Sequence, residues 1–193
     1  MSEDSGPIPN WDASGHLPLF VGNPVARGGA PYATGVIDFA LRFGTTNSRR
    51  RLLEGFLAFR ASLRSAGVQR GFQWVDGSFV EDPAHHVREP NDIDVVTFFH
   101  LPADSTQKDF MDGHGDLFMA SLTKERFGID SYPVVLDPSD LSLLVSHAVY
   151  WNRLWSHGRQ SQPKGYLEVD LSDNDDAAVK AMLADPADQG VPE

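Results

Sequence analysis

Apolar residues recur along this chain in two rhythms, and the alternation between them predicts the order of its elements. Val36, Ile37, Phe39, Ala40 and Phe43 fall on one face at helical spacing, with Thr34 as N-cap and Gly44 as the stop. Leu52, Leu53, Phe56, Leu57 and Leu63 repeat that spacing as far as Gly67, behind a cap at Asn47 or Ser48. The rhythm then shortens. GFQWVDGS and DIDVVTFF are compact apolar runs that read as strands, and the run IDSYPVVL from Ile129 reads as another, with Pro133 marking an edge or a bulge. Between them a polar segment from Asp104 breaks at Gly113-His114-Gly115, and Leu117, Phe118, Leu122 and Phe127 resume helical spacing. Asp137-Pro138-Ser139-Asp140 supplies helix-start chemistry for a helix running towards Trp155, stopped by Gly158, and residues 166–171 form a last short strand.

Helices and strands interleaved in this way predict a single α/β (α+β) domain with a mixed sheet flanked by helices over residues 34–171. Residues 1–33, rich in Gly, Pro and Asn around the apolar anchor HLPLFV, read as a partly ordered arm. Residues 172–193 form an acidic tail with room for a brief helix near Ala177.

Composition narrows the class. The 193 residues are 41% hydrophobic, enough for a real core, and contain no cysteine, which excludes a disulfide framework and a thiolate metal site. No long apolar run is present, so the expectation is a cytoplasmic protein with no membrane segment. The net charge of −11 is unevenly divided: residues 1–70 hold eight Lys/Arg and five Asp/Glu, net +3, whereas residues 71–193 hold eight and 22, net −14. Such an acidic protein does not attract nucleic acid through its overall field. Arg49, Arg50, Arg51, Arg60, Arg64 and Arg70 read either as a local basic strip or, in the preferred reading, as the solvated face of a helix.

The chemistry concentrates between Gly71 and Phe99. On a strand alternate side chains share a face, so Asp92 and Asp94 point the same way. Crowded like charges are costly unless a cation neutralises them, and hard oxygen donors suit Mg²⁺ (or Mn²⁺). Gly77 and Ser78, directly after an apolar run, can turn the chain sharply and offer N–H groups and a hydroxyl to phosphate. Both halves suit one ligand, a metal-bound nucleoside triphosphate.

Gly77-Ser78, a gap of residues 79–91, then Asp92-Ile93-Asp94-Val95 resembles the signature of the DNA polymerase beta-like nucleotidyltransferase superfamily, and is most similar to its minimal bacterial members. HLPLF, WVDGSFVEDP, PNDIDVV and PKGYLEVDL extend the likeness, to an uncharacterised bacterial branch, across residues 11–171. The resemblance implies transfer of a nucleoside monophosphate from an NTP to a hydroxyl on a protein, RNA or small molecule. It also implies metal ligation by Asp92 and Asp94 and a third carboxylate. Asp130, in a strand-like run after a helix, is preferred for that third position by resemblance, with Glu168 and Asp170 on the last strand as the alternative. Asp76, just before Gly77, is the other acid placed to point into the cleft, and Lys164, Arg159 and Arg153 are cations able to fold over the nucleotide. Relatives of this kind include toxin–antitoxin and phage-defence components.

The chain departs from that signature in its connection FVEDPAHHVREPN, which lacks the usual basic residue and second glycine and carries Glu81 and Asp82. That departure keeps open a second reading: a catalytically inactive nucleotidyltransferase-like protein that binds a nucleotide or a protein partner. Other chemistries lack their motifs. The histidines have no metal-ligand spacing, Ser78 has no nucleophile elbow, and no Walker A lysine is present.

Overall fold

The computed structural model describes residues 8–23, 28–85, 88–158 and 161–184. The elements run β1 (Tyr32–Thr34), α1 (Val36–Phe43), α2 (Asn47–Ser65), β2 (Gly71–Asp76), β3 (Ile93–Phe99), α3 (Gln107–His114), α4 (Ala120–Phe127), β4 (Ile129–Val135), α5 (Leu141–Trp155), β5 (Leu167–Asp170) and α6 (Asp176–Ala184). The five strands form one mixed sheet in the order β1-β5-β2-β3-β4. β2 is antiparallel to both β3 and β5, while β4 runs parallel to β3 and β1 parallel to β5. The mixed α/β single domain expected from the pattern is what forms.

Alternation along the strands builds a different core on each side of the sheet. Val75, Ile93, Val95, Phe99, Ile129, Leu167 and Val169 face α1, α2 and α4, where Phe39, Phe43, Phe56, Phe59 and Phe127 complete the larger core. The opposite face carries Trp74, Val96, Phe98, Val134 and Tyr166, closed by Trp151 and Trp155 from α5. Trp74 meets Phe98 at a tilt with ring centroids 4.5 Å apart, and Tyr132 meets Trp151 at 4.7 Å. Pro133 lies on β4, an edge strand, where its missing N–H leaves no partner strand unpaired.

Local chemistry sets the helix boundaries. The side chains of Thr46, Thr106 and Asp140 accept the free N–H groups at the starts of α2, α3 and α5. For α1 the expected Thr34 cap does not form, because Thr34 is taken up in strand pairing with Val169; the N-cap is Gly35, and the Val36 N–H donates instead to Asp173 Oδ2 at 2.8 Å. The described part of the N-terminal arm is docked. Leu17 is buried, Trp11 Nε1 donates to the Val80 carbonyl at 2.9 Å, and the Gly165 N–H donates to the Leu17 carbonyl at 2.6 Å.

Two arginines of α2, Arg49 and Arg60, depart from the solvated face expected of them. Arg60 is fully buried, with Nε 3.0 Å from Asp176 Oδ1, Nη1 donating to Gln73 Oε1, and Nη2 donating to the carbonyls of Asp170 and Asp173. Arg64 pairs with the same Asp176. Arg49 is also buried, and its guanidinium donates to the carbonyls of Phe79, Ser78 and Glu81. A guanidinium loses solvation on burial and is retained only where carboxylates and carbonyls replace water around it. Those partners lie about thirty residues away for Arg49, and 13 (Gln73) to more than a hundred away for Arg60, beyond the reach of helix periodicity.

Removing one partner of a buried ion pair strands the other. Arg60→Met should destabilise the fold by about 3–5 kcal/mol in urea unfolding, because Gln73 Oε1 and the carbonyls of Asp170 and Asp173 lose this donor and Asp176 is left with the partly exposed Arg64. Arg51→Met, at an exposed position of the same helix, should cost less than about 0.5 kcal/mol.

Candidate functional site

The register of three neighbouring strands places three aspartates side by side. Asp76 at the end of β2 pairs with Asp94 on β3, and Asp94 pairs with Asp130 on β4. Partners in register share a face and stand about 5 Å apart, so the three carboxylates crowd one end of the sheet. Asp92, two residues before Asp94, joins them from the start of β3. Asp92, Asp94 and Asp130 are thus brought together as the sequence suggested, and Asp76 completes the row. The acids of β5 stand elsewhere. Glu168 accepts from Trp74 Nε1 at 2.9 Å within the aromatic layer, and Asp170 is opposite Phe72, four residues from Asp76 along β2.

The turn after β2 is shaped to fit this row. Gly77 has φ 89°, in the region that favours glycine, and a Cβ there would stand 2.1 Å from Asp94 Oδ2. Its lack of a side chain therefore makes room for the middle carboxylate. Ser78 begins a short 3₁₀ turn, Ser78–Val80, and is exposed at the mouth of the row, while Arg49 holds the carbonyls of this turn from below. Gly77 and Ser78 are thus adjacent to the acids.

Two lysines answer the negative charge. Lys164, buried, lies 2.9 Å from Asp76 Oδ1 and 3.6 Å from Glu81 Oε1, so the nucleotide-binding lysine expected from the sequence sits beneath the row as a counter-ion. Glu81, an acid that seemed out of place near a triphosphate, is tied into this pair and lies 3.8 Å from His16 Nε2. Lys124, on α4, forms an ion pair with Asp92. Arg159 lies outside the described residues, as does His86. Arg153 is in the last turn of α5, where its carbonyl accepts from or faces His157 Nδ1 at 3.2 Å.

Electrostatics follow from this crowding. Burial pushes Asp76 up to about 7, against the pull of Lys164, with Asp94 adding repulsion. Burial also raises Asp94, to about 6, with further repulsion from Asp92 and Asp130. The donors are all carboxylate oxygens, the hard type that suits Mg²⁺, and among the described residues the Asp130 Oδ1 atom is buried without a hydrogen-bond partner. The residue types therefore fit a divalent cation. In the arrangement present, however, no three His, Cys, Asp or Glu side chains among the described residues are already grouped to hold one, since Asp76 and Asp92 face lysines.

Lys124 and the register that aligns Asp76, Asp94 and Asp130 went unrecognised in the sequence. A basic residue one turn before Gly128, whose αL conformation ends α4 immediately ahead of the strand carrying Asp130, was the available signal for Lys124. Nothing local could have announced the Asp76–Asp94 register, because residues 77–93 intervene.

Residues 9–170 match a family of unknown function (DUF6932), and the chain belongs to that family. No curated protein and no solved structure matches it. No helix among the described residues is long and apolar enough to cross a membrane.

The raised Asp94 carboxyl has a defined consequence for stability. Its ordinary value is 3.8, so between about pH 4 and pH 6 the native state binds a proton that the unfolded state has released, and this group's contribution to stability is lost as pH rises through about 6. Asp94→Asn should therefore gain on the parent, by up to about 2 kcal/mol, between pH 4 and pH 7 in metal-free urea titrations. A constant difference across that range would show that Asp94 titrates normally.

Proposed function

We propose that this member of the DUF6932 family is a divalent-metal-dependent nucleotidyltransferase of the DNA polymerase beta-like type, acting in the cytoplasm on an NTP and a hydroxyl-bearing acceptor. The observation that carries the reading is the side-by-side placement of Asp94 and Asp130, with Asp92 beside them and Gly77-Ser78 wrapped against Asp94. It supports the resemblance found in the sequence, in which an Asp pair follows a Gly-Ser turn and a third acid follows a helix.

In this reading Asp92 and Asp94 hold Mg²⁺ with Asp130, and the cation, when bound, supplies charge neutralisation for the phosphates. The exposed Ser78 hydroxyl and the backbone of the turn after β2 orient the triphosphate. Asp130 lies at the edge of the row, where it can accept the proton of the acceptor hydroxyl. That oxygen bonds to the α-phosphorus as the bond from the α-phosphorus to the bridging oxygen breaks, and pyrophosphate leaves. Lys164 has a positioning role, holding Asp76 and Glu81 so that their charges do not face the triphosphate.

A second reading, a catalytically inactive protein with a protein partner, is favoured by the two lysine–aspartate pairs, which neutralise much of the row without a metal. The two readings differ in turnover. Purified protein incubated with Mg²⁺ or Mn²⁺ and each labelled NTP should release pyrophosphate and label an acceptor. Asp94→Asn and Asp130→Asn should each reduce that rate about 100-fold or more, whereas Glu168→Gln should retain most of it. Nucleotide binding without pyrophosphate release from any NTP would establish the inactive reading, and loss of rate in Glu168→Gln alone would move the third acid to β5.

A further inference from the structure

Of the two lysines at the acid row, one is fixed and one is free to leave. The Lys164 side chain is only 9% exposed and is held between Asp76 and Glu81. The Lys124 side chain is 50% exposed and pairs with Asp92, while Asp94 and Asp130 also act on its charge. Its backbone, in contrast, is firmly placed. The Lys124 carbonyl accepts the Gly128 N–H at 2.9 Å, and the Gly128 carbonyl accepts the Ile93 N–H at 2.9 Å, tying the end of α4 to the start of β3. A flexible four-carbon stem on a fixed base delivers a single positive charge to Asp92 in the acid row.

From this geometry we infer that Lys124 is a built-in counter-ion that stands where a divalent cation binds, and that the cation must displace its ammonium from Asp92. The inference rests on the metal-dependent reading above and extends it to the regulation of the site. It does not depend on the acids alone. The buried Asp130 Oδ1, unpartnered among the described residues, remains for a cation to satisfy, because a lysine anchored on Asp92 leaves it unpaired. An ammonium carries one charge and satisfies few oxygens, whereas a divalent cation carries two and takes several carboxylate ligands. Exchange is therefore favourable but opposed, and the opposition sets a threshold for metal binding. Once released, the ammonium remains tethered beside the row, where phosphate oxygens can take the place of Asp92 as its partner.

The test is Mn²⁺ affinity measured by titration calorimetry on the full chain at low ionic strength, without nucleotide. Lys124→Met keeps the stem and removes the charge, and should bind Mn²⁺ about 10-fold more tightly than the parent, which corresponds to about 1.4 kcal/mol. Lys124→Arg keeps the charge and should stay within about twofold of the parent, as should Lys108→Met, which removes an exposed lysine paired with Asp112 on α3. The advantage of Lys124→Met should shrink as salt is raised. Unfolding curves of the metal-free variants would establish that each is folded. Equal affinity in parent and Lys124→Met overturns the counter-ion inference while leaving the metal site standing, and weaker binding in Lys124→Met overturns it in favour of a supporting role. Absence of Mn²⁺ binding in both overturns the metal-dependent reading and this inference with it.

Discussion

Like charges on neighbouring strands repel, and the end of this sheet is arranged around that repulsion. Pairing of Asp76 with Asp94 and of Asp94 with Asp130 is dictated by the register that buries Val75, Val95 and Ile129 on the other face; a slip by one residue would expose the core and scatter the acids. The hydrophobic effect thus holds together carboxylates that would otherwise separate. The surroundings then limit the cost. Lys164 neutralises the buried Asp76, Lys124 reaches Asp92, and Gly77, having no side chain, leaves room for Asp94.

The same economy of space explains why the chain's cations are so unevenly used. Arg49 and Arg60 leave one helix for the interior, where each gathers main-chain carbonyls from distant segments. Arg49 supports the turn that carries Ser78, and Arg60 clasps the segment after β5 together with the start of α6. Both act as cross-links of fixed geometry, a role for which a planar guanidinium with five donors is better suited than an ammonium. Lysine, in turn, appears where a point charge on a movable stem is required.

Much of the architecture was legible because it depends on short-range pattern. The periodicity of α2, the apolar runs of β2 and β3, Asp140 as a cap and Pro133 as the mark of an edge all follow from residues close together in the chain. The neighbouring placement of Asp92 and Asp94 was legible for the same reason. The short strand β1 was missed, since three residues beside a Pro-rich arm carry too little pattern, and with it the fate of Thr34 as a strand residue. The burial of Arg60 and the company of Asp76 and Lys124 were out of reach, because each depends on segments that meet only in the folded chain.

Among the described residues β1, the first strand in the chain, pairs only with β5, the last, and β5 also fills the gap between β1 and β2. As the protein emerges from a ribosome, β2, β3 and β4 can associate early, but the edge of β2 stays open until residue 170 has been made. Lys164 arrives with the same segment. The row of acids therefore gains its buried counter-ion at nearly the moment the sheet closes, so that the charge balance of the site and the completion of the fold become one late event in the life of each new chain.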